Sequence, residues 1–147
     1  MNWYKLAEKL KDVTLKGKLK QANNGFVYLS INDKLMEGLF QLIDKDKIQK
    51  PPYNQKKYNN VGTHISVMYE DETNDLNIRE IGKEFNFKLG ELKSVNPKTW
   101  KDMKTVYFIQ VYSEELEKLR QKYGLSKKLN GQEFHITVAV EKKYELV

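Results

Sequence analysis

Cysteine is absent from the 147 residues. Disulfides and thiolate metal sites are therefore excluded, and the chain is indifferent to redox compartment. Arginine is nearly absent too: of 26 Lys and Arg residues only Arg79 and Arg120 are arginine. The planar guanidinium fork suits bidentate phosphate recognition, so a dedicated arginine clamp is not expected. Any grip on phosphate has to come from hydroxyls, imidazoles, lysines and backbone amides. No apolar run approaches a membrane span. Met1-Asn2-Trp3-Tyr4-Lys5-Leu6 has no continuous apolar core of a secretory signal. A cytoplasmic site without a membrane partner is the expectation. No Gly-x-Ser-x-Gly elbow is present for a serine nucleophile. There are only two histidines, His64 and His135. Without cysteine or helical His-Glu spacing they fall short of a usual zinc set, so no metal and no cofactor is expected.

What is present describes one globular domain over residues 1–147, with 39% hydrophobic and 31% charged residues. A net charge of +6 favours polyanionic partners such as nucleotides, RNA or DNA, or simply keeps the surface soluble. Both histidines sit in near-identical surroundings: His64-Ile65-Ser66-Val67 is echoed by His135-Ile136-Thr137-Val138. Ser and Thr together fill 11 of 147 positions. A hydroxyl two places after both histidines is then well under a ~1% coincidence. The β-branched composition predicts strands. Alternation along a strand puts each imidazole and its hydroxyl on one face, with the Ile and Val on the other for burial.

In chain order, Trp3, Leu6, Ala7 and Leu10 predict an N-terminal helix over 3–11. The lysine-rich 16–20 segment and a turn at Asn23-Asn24-Gly25 precede a strand over 26–31. Asn32 and Asp33 then cap a helix carrying Leu35, Met36, Leu39, Phe40, Leu42 and Ile43. Residues 44–60 read as a long charged loop in which Lys56, Lys57 and Tyr58 are candidate ligand contacts. Beyond the first His strand, the acidic run to Glu72 reads as a solvated strand end, followed by a short helix over 74–83. Residues 85–95 predict one long strand, broken at Asn96-Pro97. Trp100 beyond it either plugs the core edge or stacks on a nucleobase. Thr105 to Tyr112 is another strand, and Ser113 caps a helix to Tyr123 with acids at its start, bases at its end and Gly124 as its stop. Asn130-Gly131 turns the chain into the second His strand. Strand, cap, helix and His strand therefore occur twice. An α+β fold of two pseudo-symmetric strand-helix-strand lobes is expected, roughly 25–84 and 85–141, with antiparallel sheets around a central cleft.

Two imidazoles flanking one group suit general acid–base chemistry, and the adjacent hydroxyls can donate to charge developing on a phosphoryl group. Phosphodiester cleavage uses all four. The duplicated motif within a strand-helix repeat resembles the 2H phosphoesterase superfamily, with its bilobal, LigT-like fold, over roughly Gly25 to Glu141. The resemblance implies a metal-independent phosphodiesterase acting on RNA-type linkages. Carried over by position, His64 and His135 are the acid–base pair, and Ser66 and Thr137 hold the non-bridging phosphate oxygens. It further implies a cyclic nucleotide, oligonucleotide or RNA substrate. One kind of relative opens 2′,3′-cyclic phosphates in RNA repair. The other comprises viral and phage enzymes, anti-CBASS proteins among them, that destroy cyclic or 2′-5′-linked immune messengers, in the host cytoplasm. The second is the leading expectation, with a non-catalytic nucleotide- or RNA-binding module as the rival from another class. Tyr28, Trp100, Glu141 and Tyr144 are further candidate ligand contacts.

Overall fold

Seven strands and two helices make up the computed structural model, which describes residues 13–41, 43, 48–51, 61–97 and 103–142. The expected helix over 3–11 lies outside these residues. The strands are β1 (Leu15–Gln21), β2 (Val27–Ser30), β3 (Ile48–Gln49), β4 (His64–Met68), β5 (Glu84–Val95), β6 (Met103–Tyr112) and β7 (Phe134–Lys142). The helices are α1 (Asp33–Gln41) and α2 (Glu114–Lys122). Every strand pairing is antiparallel.

The sheet runs β3-β7-β4-β2-β1-β5-β6, and β6 returns to pair with β7. Strand β7 is the hinge of this arrangement. Strand β6 occupies one of its edges, while β4 and β3 share the other at different heights. The pairing thus closes through β7, β4, β2, β1, β5 and β6 as one continuous sheet. The strand that joins the two halves is β1, which pairs with β2 on one side and β5 on the other. The lysine-rich stretch read as a preface to the fold is therefore a strand within it. Gly17 makes this possible, since a Cβ there would lie 2.7 Å from the Leu29 side chain and the Ser30 carbonyl.

Alternation sorts the sheet into two faces. Leu19, Leu29, Ile65, Val67, Ile109, Val111, Ile136 and Val138 are fully buried on one, joined by Leu39 of α1 and by Leu116 and Leu119 of α2. This apolar face supplies most of the hydrophobic stabilisation. Helix α1 approaches β7, whereas α2 approaches β4 and β5, so each helix packs near the His strand of the opposite half. Helix α2 starts as expected: the Ser113 hydroxyl accepts from Leu116 N at 3.1 Å and donates to the Asn86 carbonyl at 2.6 Å. Among the described residues no helix is long and apolar enough to cross a membrane.

Three expectations need correction. Residues 74–83 form turns rather than a helix, because tertiary partners claim their polar groups. Gly82 N donates to the Leu19 carbonyl, Arg79 N to the Tyr123 hydroxyl, and the Glu80 carboxylate accepts from Tyr123 and Lys122. The 44–60 stretch is not loop throughout, since Ile48 and Gln49 pair with Glu141 and Val140. Glu72 is no solvated strand end. Its two carboxylate oxygens accept from the Arg120 guanidinium at 3.0 and 2.7 Å. Arg120 is only 1% exposed and also donates to the Val67 and Ser126 carbonyls. It serves as a buried tie between α2 and the His strand β4.

Candidate active site

The register between β4 and β7 assembles the site. Ile65 pairs with Ile136 in antiparallel fashion. Extending that antiparallel register by one step to either side sets His64 opposite Thr137 and Ser66 opposite His135. Both isoleucines are on the core face, so all four polar side chains share the other face. Directly opposed side chains in such a pair have Cβ atoms about 5 Å apart. The two imidazoles sit on the diagonal, roughly 7 to 8 Å apart at Cβ. The four groups thus form a quadrilateral in which imidazoles and hydroxyls alternate, related by a local two-fold axis through the Ile65–Ile136 pair.

A second symmetry reinforces the first. On the far edge of β4, the pairing with β2 skips Val67, placing Val27 opposite Met68 and Tyr28 opposite Ser66. On the far edge of β7, the pairing with β6 skips Val138, placing Tyr107 opposite Ala139 and Phe108 opposite Thr137. Each motif carries a β-bulge at the valine that follows its hydroxyl residue. Bulges bend a strand, sharpen its twist and re-aim side chains, and they recur beside functional sites.

The rings are held alike. The His64 Nδ1 lies 2.7 Å from the Gly62 carbonyl, an acceptor only, so Nδ1 bears the proton. Gly62 can offer that carbonyl because its φ of 69° is one that a side chain disfavours. His135 hydrogen-bonds the backbone of Glu133, again two residues back. Thr63, buried between Gly62 and His64, gives its hydroxyl to Asp33 Oδ1 at 2.7 Å and its N–H to the same oxygen at 3.3 Å. The first residue of α1 therefore anchors the start of β4. Asn32 takes the capping role, accepting from Lys34 N at 2.9 Å.

Aromatic rings pack edge-on around both imidazoles. Phe26 and Tyr28 each lie 5.8 Å from His64, and Phe108 lies 5.2 Å from His135, between ring centroids. Burial pushes both histidines below the ordinary value of 6.5, opposed in each case by the backbone hydrogen bond. His64 is lowered further by the charge of His135, which places the two rings within electrostatic reach of each other. Both rings are thereby held toward the neutral form.

Of the further candidates, Tyr28 is at the site, opposite Ser66 and beside His64. Glu141 is on β7 about 13 Å beyond Thr137 along the strand, where it forms an ion pair with Lys104 at 3.7 Å. Lys56, Tyr58, Trp100 and Tyr144 lie outside the described residues. Sequence reasoning passed over Phe26, Phe108, Asp33 and the Gly62 carbonyl. The phenylalanines fall within predicted strands, and only the register reveals that they flank imidazoles. Among the described residues no group of three or more His, Asp or Glu is placed to hold a metal ion.

The family model of the Swiss Army Knife 2H phosphoesterase domain matches residues 27–145. The chain belongs to the 2H phosphoesterases. That match spans both His motifs, both helices and the bulged pairings on either flank. As a 2H phosphoesterase the protein is a hydrolase acting on phosphodiester bonds, with a nucleotide or nucleic acid as substrate. Neither the curated proteins nor the solved structures give a significant match to this 2H phosphoesterase.

Proposed function

We propose that the protein hydrolyses cyclic or 2′-5′-linked oligonucleotides without a metal, with His64 and His135 as the acid–base pair and Ser66 and Thr137 donating to the non-bridging phosphate oxygens. The pairing of Ile65 with Ile136 carries this reading, because it sets two imidazoles diagonally across two hydroxyls. A tetrahedral phosphate seated between them meets one imidazole on the side of attack and the other on the side of departure. One neutral ring takes a proton through Nε2 from the attacking water or ribose hydroxyl. The other, charged once the anionic phosphate has entered, returns a proton to the leaving ribose oxygen. The hydroxyls stabilise the negative charge that gathers on the equatorial oxygens.

In this reading Tyr28 flanks a base of the substrate, and Lys56, Tyr58, Trp100, Glu141 and Tyr144 are candidates for more distant contacts. The β2-α1-β4 and β6-α2-β7 halves act as two lobes of a single domain around a central cleft. Immune messengers are the substrates that fit best, consumed in a host cytoplasm.

The test is turnover of a panel of 2′,3′-cyclic mononucleotides, 2′-5′ oligoadenylate, cyclic dinucleotides and cyclic trinucleotides in EDTA. The His64→Ala/His135→Ala protein is assayed beside the wild type. Cleavage of oligonucleotides by the wild type alone is expected. Cleavage confined to 2′,3′-cyclic phosphates would assign the protein to RNA repair instead. Tight binding with no turnover would reduce it to a binding module.

A further inference from the structure

The face that carries the four polar side chains continues past β2 onto β1. On β2, Ser30 stands opposite His64 and Tyr28 opposite Ser66. On β1, Lys18 stands opposite Ser30 and Lys20 opposite Tyr28. Two rows therefore cross four strands: Lys18, Ser30, His64, Thr137, and Lys20, Tyr28, Ser66, His135. Lys16 extends the lysine file by one more alternate position, and all three lysines are exposed. Neighbouring strands are about 4.8 Å apart, so the file runs parallel to β4 at about 10 Å. Its charges recur about every 6.7 Å along the strand.

Among the described residues these lysines, like Lys34, Lys83, Lys88 and Lys127, lack the carboxylate partner that six other surface lysines have, and only they form a file beside the candidate site. Lys50, Lys93, Lys104, Lys118, Lys122 and Lys128 each have a carboxylate partner. Among the described residues Lys16, Lys18 and Lys20 have none, even though Glu84 of β5 stands across from Lys18. Beside the file lie three rings in near-parallel array: Phe26 is 5.5 Å from Tyr28 at 19° and 6.4 Å from Tyr69 at 15°. A row of unneutralised cations next to an aromatic stack is the combination that binds single-stranded nucleic acid, with charge following the backbone and rings accepting bases.

From this we infer that Lys16, Lys18 and Lys20 form a backbone track for a single-stranded oligonucleotide extending from the scissile phosphate, making the enzyme selective for oligomers over the shortest substrates. The inference rests on the proposed site for where cleavage occurs, but the track itself can be tested without cleavage.

The experiment replaces all three with glutamine (Lys16→Gln/Lys18→Gln/Lys20→Gln). A control of equal charge loss, Lys34→Gln/Lys118→Gln/Lys127→Gln, draws on exposed lysines elsewhere. In the turnover arm, kcat/KM is measured on a 2′-5′-linked dimer and on a longer oligomer. The ratio of oligomer to dimer is expected to fall on the order of tenfold in the β1 variant and to hold in the control, given that each phosphate contact contributes to affinity. An unchanged ratio, or the same change in both variants, would overturn the track. In the binding arm, a fluorescein-labelled oligodeoxythymidylate, which lacks the 2′-hydroxyl, is titrated by anisotropy at several salt concentrations. Loss of three phosphate contacts flattens the log–log salt slope by about 2. A wild type that binds with this lysine-dependent slope yet cleaves nothing would keep the track and discard the proposed chemistry. A slope that does not depend on the β1 lysines would discard the track whatever the enzyme cleaves.

Discussion

A carbonyl two residues upstream holds each imidazole, and a ring packed against its edge takes water away from it. These two influences oppose each other, and burial wins at both positions. The acid limb of kcat/KM should accordingly lie below 6.5, the ordinary imidazole value; a limb at or above it would contradict the site described. The same shift bears on stability. A histidine whose folded pKa is depressed binds its proton first in the unfolded chain, so stability falls as pH drops from 6.5 toward the folded value and then levels off. Urea midpoints taken between pH 7 and 5 should decline in the wild type and flatten in the His64→Ala/His135→Ala protein. For the hydroxyls, Thr137→Val should cost on the order of 2–4 kcal/mol in transition-state stabilisation if the group donates to the phosphoryl oxygens. Single-turnover rates at saturating substrate would check this. The four side chains of the quadrilateral were legible in the chain because a duplicated His-x-hydroxyl pattern is rare. Phe26 and Phe108 were not, since an aromatic beside a strand looks the same whether it faces a core or an imidazole.

At the scale of elements, strands and helices announced by alternation or caps were readable, among them β5, β6, the Ser113-capped α2 and the turn at Asn130-Gly131. The 74–83 segment was not, because its fate depends on Leu19, Tyr123 and Lys122, all distant in sequence. Strand β1 was hidden by its lysines, which mask the alternation of Leu15, Gly17 and Leu19. The junction of α2 with β4 depends on Arg120, whose side chain meets Glu72 and the carbonyls of Val67 and Ser126. Arg120→Leu strands the Glu72 carboxylate and frees those carbonyls, and should destabilise the protein by about 3 kcal/mol in urea unfolding. The Arg120 hydrogen bond holds the Glu72 carboxyl below its ordinary 4.5. Its contribution is therefore complete above that value and is lost as pH falls through the folded pKa. Glu72→Gln should remove this part of the acid sensitivity, seen as a shallower loss of the urea midpoint below pH 4.5.

On the scale of the whole molecule, the strand that completes the ring of pairings is also the strand that bears the lysine file. Structure and proposed specificity thus meet in β1, and the glutamine replacements there keep the inward-facing Leu15, Gly17 and Leu19 intact. The two halves are not equivalent around the site. One flank has β2, the aromatic stack and the lysine file; the other has Phe108 and Gln110 of β6, with Lys93 of β5 beside Phe108. This asymmetry matters because of the two-fold relation between the motif strands. Half a turn about the Ile65–Ile136 axis exchanges each imidazole for the other and each hydroxyl for its counterpart. The quadrilateral is thus a palindrome: a phosphodiester entered head-first or tail-first would meet the same four groups. Direction of reading, and with it which ribose oxygen departs, has to be written in the flanks.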